Sequence, residues 1–255
     1  MIGTTTGTTT GEIPGPLGVG LIAHWKMNDT TSTIVLDTKG NNNGYSVRDA
    51  GILSSSGVVG TSLLNDNYSG DVITVPASGS SLNSLLNGGN PFSISIWEYA
   101  DWSGDNPIFN KGIGSLDDPY IGMNAYNNYG QGITFFELAA QSFPWYNEGI
   151  YIGFINPLGN TEWRHYVITY DGSGQASGVH LYVDSAEIID IYSIYHDNFE
   201  LIDAGVGPQA DLLLGDPVIR GNHVVRYDDT RIYNRVLDQN EIDLLYNGGS
   251  GTESE

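Results

Sequence analysis

From residue 20 onward the chain consists of short runs that alternate apolar and polar residues, each stopped by a cluster of Gly, Asn, Asp or Ser. A period of two puts every second side chain on one face of a pleated strand, and that face can be buried only against similar strands. Strands are expected over residues 21–27, 71–75, 92–98, 120–123, 133–138, 150–154, 164–170, 179–183, 212–214 and 225–233, which are rich in Ile, Val, Tyr, Trp and Thr. Helical periodicity is nearly absent, and 34 glycines suit the many tight turns this pattern needs. The expected fold is all-β, a two-sheet antiparallel jelly-roll sandwich. One short helix is expected near the end. Asp238 and Glu241 have the spacing of a capping box, Leu237 and Ile242 that of a hydrophobic staple, and Gly248 and Gly249 supply the stop. It is expected to close one end of the sandwich.

Nine Lys plus Arg against 30 Asp plus Glu leave a formal charge of −21. Binding nucleic acid needs basic clusters that this chain lacks, and an anionic membrane surface would repel it. Charged residues are only 15% of the chain, while 40% is hydrophobic, with 16 Tyr, 5 Trp and 7 Phe, so a packed core is expected and disorder is not. No apolar stretch is long enough to cross a membrane as a helix, and the first residues have neither the basic flank nor the apolar run of a signal peptide. Zero cysteines remove disulfides and thiol chemistry. Residues 1–19 are Thr, Gly and Pro with little apolar periodicity, which reads as an arm that is either flexible or ordered by a neighbouring subunit. Residues 20–249 read as one domain and residues 250–255 as a frayed acidic tail.

The order of motifs is more specific than any one of them. His24-Trp25-Lys26-Met27-Asn28-Asp29 is followed by Asp37-Thr38-Lys39-Gly40-Asn41-Asn42-Asn43-Gly44, then by Phe92-Ser93-Ile94-Ser95-Ile96-Trp97 and Ile108-Phe109-Asn110-Lys111-Gly112. Glu162-Trp163-Arg164-His165-Tyr166-Val167, Leu181-Tyr182-Val183-Asp184 and Asp228-Asp229-Thr230-Arg231-Ile232-Tyr233 complete the series. In this order they resemble the laminin-G-like branch of the concanavalin A-like lectin/glucanase superfamily, over residues 20–249. Two departures are Ser185, where a Gly is usual, and an enlarged aromatic stretch over residues 101–151. The resemblance implies a jelly roll, and by analogy with many relatives it implies a calcium ion held by Asp37, Gly40, Asn43 and an aspartate of the pair Asp228 and Asp229. The competing account is that these acids cap turns and face solvent.

Glucanases of this superfamily need an acid and a nucleophile alternating on one strand as E-x-D-x-E or E-x-D-x-x-E, and none of the ten glutamates begins that pattern. A glycoside hydrolase is thus a remote alternative, and no enzymatic activity is expected. His24 and His165 fall in framework strands and are expected to be structural. Carbohydrate binding has a better rationale, because pyranose C–H faces stack on aromatic rings while Asn and Asp take the hydroxyls. Tyr99, Trp102, Tyr126, Tyr129, Trp145 and Tyr146 are the candidate glycan or partner contacts, with core packing as the alternative for each. Trp25, Trp97 and Trp163 are assigned to the core.

Two readings follow. One is a structural or adhesive protein displayed on a surface, such as a virion decoration or fibre subunit, attached to other subunits through residues 1–19 and able to form a homo-oligomer. The other is a free-standing or secreted calcium-dependent module that binds a polysaccharide or glycoprotein. The expected location is accordingly a virion surface or the extracellular space, reached without a recognisable signal peptide.

Overall fold

The structure, a computed structural model, describes residues 15–66, 72–86, 88–100, 106–112, 120–128, 131–139, 149–156, 161–198, 210–215 and 224–255. In chain order the strands are β1 Leu21–Trp25, β2 Ile34–Val35, β3 Gly44–Ser46, β4 Ser54–Ser56, β5 Thr61–Asp66, β6 Ile73–Val75, β7 Phe92–Ala100, β8 Asn106–Lys111 and β9 Tyr120–Asn128. They continue as β10 Gln131–Ala139, β11 Gly149–Asn156, β12 Trp163–Tyr170, β13 Val179–Val183, β14 Ala186–Glu187, β15 Ile191–Asn198, β16 Leu212–Leu214 and β17 Val224–Tyr233. The helices are α1 Ala50–Leu53, α2 Leu82–Leu85 and α3 Gln239–Tyr246. All ten expected strands are present.

The strands form two antiparallel sheets. One has eight strands in the order β14-β13-β12-β7-β17-β5-β4, with β1 paired to the last part of β17, and the other has nine in the order β15-β11-β10-β9-β8-β16-β6-β3-β2. Their facing sides enclose the core, where Phe92, Ile94 and Ile96 from β7 and Ile168 and Tyr170 from β12 join Met123, Phe136, Ile152 and Phe154 from the opposite sheet. Along each strand the alternate residues point out of the sandwich, as period two requires.

Helix α3 carries the expected capping box, with the Asp238 carboxylate accepting from the Glu241 amide at 3.0 Å and the Glu241 carboxylate accepting from the Asp238 amide at 3.0 Å. It does not close an end of the sandwich as expected. It lies on the outer face of the eight-stranded sheet, where Leu237, Ile242 and Leu245 form a second apolar cluster with Val167, Tyr233, Leu21 and Leu17. The cause is the outward-pointing Val167 and Tyr233, which give a central strip of the sheet an apolar surface that must be covered.

Two expected boundaries also move. Pro16–Gly18 forms a 3₁₀ turn whose Leu17 is only 4% exposed beneath α3, so this part of the expected arm is packed on the fold. Residues 1–14 of the expected arm lie outside the described residues. The last six residues are docked, not frayed. Arg231 Nη1 donates to the Ser254 carbonyl at 2.8 Å and its Nη2 to the Thr252 carbonyl, while Glu253 pairs with Lys26 and Glu255 with Lys39.

Because the cap serves a helix whose packing covers the sheet, Asp238→Ala is expected to lower the unfolding free energy by about 1 kcal/mol in urea titrations, with an unchanged m-value.

Candidate binding site

Register in the sheets sorts the six aromatic candidates. Tyr99 is half-buried on the outer face of the eight-stranded sheet, edge-to-face with Trp163 at 5.8 Å. Tyr126 belongs to β9, and Trp102, Tyr129, Trp145 and Tyr146 lie outside the described residues. The segments that hold them leave from opposite ends of the nine-stranded sheet. Asn128 pairs with Gln131 at one end of β10 and Tyr120 pairs with Ala139 at the other, where Ala139 also pairs with Gly149. Eight residue steps of a strand separate these ends by roughly 26 Å. Trp25 and Trp97 are buried as expected, whereas Trp163 is half-exposed and leaves the core assignment.

The expected calcium ligands are used otherwise. Asp37 Oδ1 accepts from the amides of His24 and Lys39, both at 2.9 Å, and Oδ2 from the Asn42 amide at 3.0 Å and side chain at 3.2 Å and from the Asn41 amide at 3.3 Å. These donors exhaust the carboxylate's lone pairs. Asn43 Oδ1 accepts from the Asp37 amide at 3.0 Å, and Gly40 takes the positive φ of +108° that the turn requires. Asp228 Oδ2 accepts from the amides of Val58 at 2.7 Å and Val59 at 3.0 Å. Asp229 Oδ1 lies 2.6 Å from His24 Nε2 and 3.2 Å from Arg231. Among the described residues no three His, Asp or Glu stand together as a metal site. The turn-capping account holds for Asp37 and for Asp228 Oδ2, whereas Asp228 Oδ1 and Asp229 Oδ2 are buried with no hydrogen-bond partner. With Asp37 saturated and no cluster of three such groups among the described residues, the set does not fit a calcium cage. EDTA and millimolar calcium are therefore expected to give the same Tm by calorimetry; a rise of several degrees with calcium would restore the ion.

In two buried acids burial outweighs whatever hydrogen bonds they accept. Glu98 is 1% exposed, its Oε1 has no hydrogen-bond partner, and burial raises its pKa to about 8. Burial also pushes Asp228 up to about 7, with the two amides it caps opposing the shift. Glu98 sits beside Tyr166, whose buried hydroxyl burial drives well above 10, with Glu98 adding to the effect. Burial pulls His165 down to about 3, so its ring is neutral, and its Nε2 pairs with Ser95 Oγ at 2.8 Å. Because Glu98 and Asp228 bind protons more tightly folded than unfolded, the stability these two acids contribute is present at about pH 4 and is lost as pH rises to about 8. Glu98→Gln is expected to flatten much of this slope and to stabilise the protein at pH 8 by roughly 4 kcal/mol, with little effect at pH 4.5, in urea melts across pH.

Among the described residues, a further accessible aromatic surface lies outside the sequence candidates. It lies on the outer face of the nine-stranded sheet, where Phe135 of β10, Tyr151 of β11 and Tyr192 and Tyr195 of β15 touch in series. Ring centroids are 5.2 Å apart for Phe135 and Tyr151, 5.0 Å for Tyr151 and Tyr195, and 6.0 Å for Phe135 and Tyr192, the last pair at 87°. Tyr192 is 40% and Tyr195 55% exposed. Two irregularities of register create the face. Tyr151 and Ile152 pair with His196 and Ile194, leaving Tyr195 as an extra residue, and Gly153 and Phe154 pair with Ser193 and Ile191, leaving Tyr192 extra. Such bulges re-aim side chains, and here both extra residues carry a tyrosine.

Gly153 makes the floor possible, since a Cβ there would sit 2.6 Å from Phe135 Cε1, so only glycine lets that ring lie across β11. Phe135 is then a floor and Tyr192 an upright wall. Glu137 follows two residues after Phe135 on the same face. Burial, then Glu137 and Tyr195, raises the Tyr151 hydroxyl to about 12, so it remains a hydrogen-bond donor.

No family model matches the chain, and no curated protein matches it. Solved structures do. Trypanosoma rangeli sialidase matches at TM-score 0.58 and 16% identity, over 92% of this chain and 34% of that one. The binding domain of Paraclostridial Mosquitocidal Protein 1 matches at TM-score 0.61 and 17% identity, over 91% and 53%. The receptor binding domain of botulinum neurotoxin C/D mosaic serotype matches at 0.58 and 14%, over 90% and 51%. The chain thus spans a third to about half of the structures it matches. The likeness is one of fold, a two-sheet β-sandwich shared with domains named for binding, and it does not single out the laminin-G-like branch.

Proposed function

We propose that the protein is a non-catalytic binding module that holds a carbohydrate chain against the outer face of its nine-stranded sheet. The observation that carries this reading is the pair of bulges that turn Tyr192 and Tyr195 onto the face already occupied by Phe135 and Tyr151. A sugar ring seated on the Phe135 floor meets the Tyr192 wall, its C–H face against the rings and its hydroxyls near Glu137 and the tyrosine hydroxyls. Fold likeness to domains named for binding supports the same reading. The buried state of Glu98 and the missing carboxylate pattern support a non-catalytic role.

Display on a virion or another surface assembly is compatible with this function. It rests on the Thr, Gly and Pro composition of the N-terminal residues.

The test is affinity electrophoresis through gels containing soluble neutral polysaccharides, among them hydroxyethylcellulose, galactomannan and xyloglucan. At least one is expected to retard the protein, and Tyr192→Ala or Tyr195→Ala to weaken that binding by about tenfold while the Tm stays within a few degrees. Retardation unchanged in both variants would remove this face from the function.

A further inference from the structure

A separate cluster of accessible side chains lies on the opposite sheet. Arg226 of β17, Tyr99 of β7 and Trp163 of β12 are direct cross-strand partners, Arg226 with Tyr99 and Tyr99 with Trp163. They form one row across three adjacent strands on the outer face of the eight-stranded sheet. One rung away, Trp97 stacks under Tyr246 of α3 at 5.8 Å and is buried by the helix. The row lies beyond that cover, and all three of its residues are half-exposed.

The arginine is unusual in this chain. Arg164 is paired with Glu162 and Asp184, Arg231 with Asp229 and Arg235 with Glu241. Arg226 makes no ion pair among the described residues, although acids outnumber bases 30 to 9. Its guanidinium lies over the Tyr99 ring, with Cζ 4.9 Å from the centroid, and its buried Nε has no hydrogen-bond partner. Stacking on a ring holds the guanidinium plane in place and leaves its in-plane N–H donors directed away from the aromatic face. A fixed fork of this kind matches a carboxylate, which it can bind through two parallel hydrogen bonds. The adjoining indole offers an apolar platform for the body that bears the carboxylate.

We infer that Arg226, Tyr99 and Trp163 form a site for a carboxylate-bearing sugar, with the acid on the Arg226 fork and the pyranose face on Trp163. The overall charge of −21 opposes the approach of an anion, but at physiological salt that field is screened over about 8 Å, whereas the fork acts at contact. The site uses none of the residues of the nine-stranded face, so the two stand or fall separately.

Trigalacturonate against its methyl ester, and 3′-sialyllactose against lactose, measured by isothermal calorimetry on the full chain in 0.15 M NaCl, provide the test. Wild type is expected to bind at least one acidic sugar ten times or more tighter than its neutral counterpart. Arg226→Gln should bring that ratio to about one, Arg226→Lys should keep part of it, and Trp163→Ala should weaken both members of the pair. Tyr192→Ala should leave the ratio unchanged, and circular-dichroism melting of each variant checks the fold. No binding of either acidic sugar, equal binding of acid and neutral forms, or a ratio intact in Arg226→Gln would overturn the site. If the acid preference follows Arg226 while Tyr192→Ala leaves neutral polysaccharides unaffected, this site stands and the carbohydrate role of the opposite face falls.

Discussion

The carboxylate of Asp229 lies almost wholly out of water, and distant parts of the eight-stranded sheet converge on its Oδ1. An unpaired buried charge costs several kcal/mol, so its partners are fixed structural elements. His24 brings β1 to it, and Arg231 comes from two residues further along the same strand. The guanidinium in turn grips the carbonyls of Thr252 and Ser254, so the last residues of the chain are drawn onto the sheet. One buried acid thereby joins the first strand, the last strand and the closing segment. The break in pairing of β17 between Asp228 and Arg231 is where this happens. Before it the strand pairs with β5, and after it with β1.

The parts of this fold that obey a single local rule are readable from the residues alone. Period two located ten strands, and the capping box of α3 follows from Asp238 and Glu241. What escapes is whatever depends on a partner distant in sequence. Ser250–Glu255 reads as a loose acidic tail, because nothing in those letters reveals that Arg231, Lys26 and Lys39 lie waiting for it. Trp163 reads as core by its place in a framework strand, yet its register opposite Tyr99 puts it on the outer face, beyond the reach of α3. The calcium reading meets a related difficulty. Oxygen-rich turns look alike whether their carboxylates face an ion or the backbone amides that Asp37 and Asp228 cap.

Strand β15 was missed on physical grounds that also mark its use. A bulge adds a residue and shifts the alternation by one, so Ile191, Tyr192, Ser193, Ile194 and Tyr195 repeat with period three, which matches neither a regular strand nor a helix. The signal that could have found the aromatic face was that departure from period two beside two spaced tyrosines. Phe135 was hidden too, because Phe136 is next to it and sequence alone cannot tell which ring turns inward.

The bulges of β15 have another effect. The outermost strands β14, β4 and β2 are only two or three residues long, too short to template an intruding strand, but β15 spans eight residues and exposes Ile191 and Ile194. Its broken ladder offers no even row of backbone donors and acceptors for a neighbour to zip onto. The irregularity that aims the tyrosines therefore also disfavours edge-to-edge pairing of one copy with another through this strand.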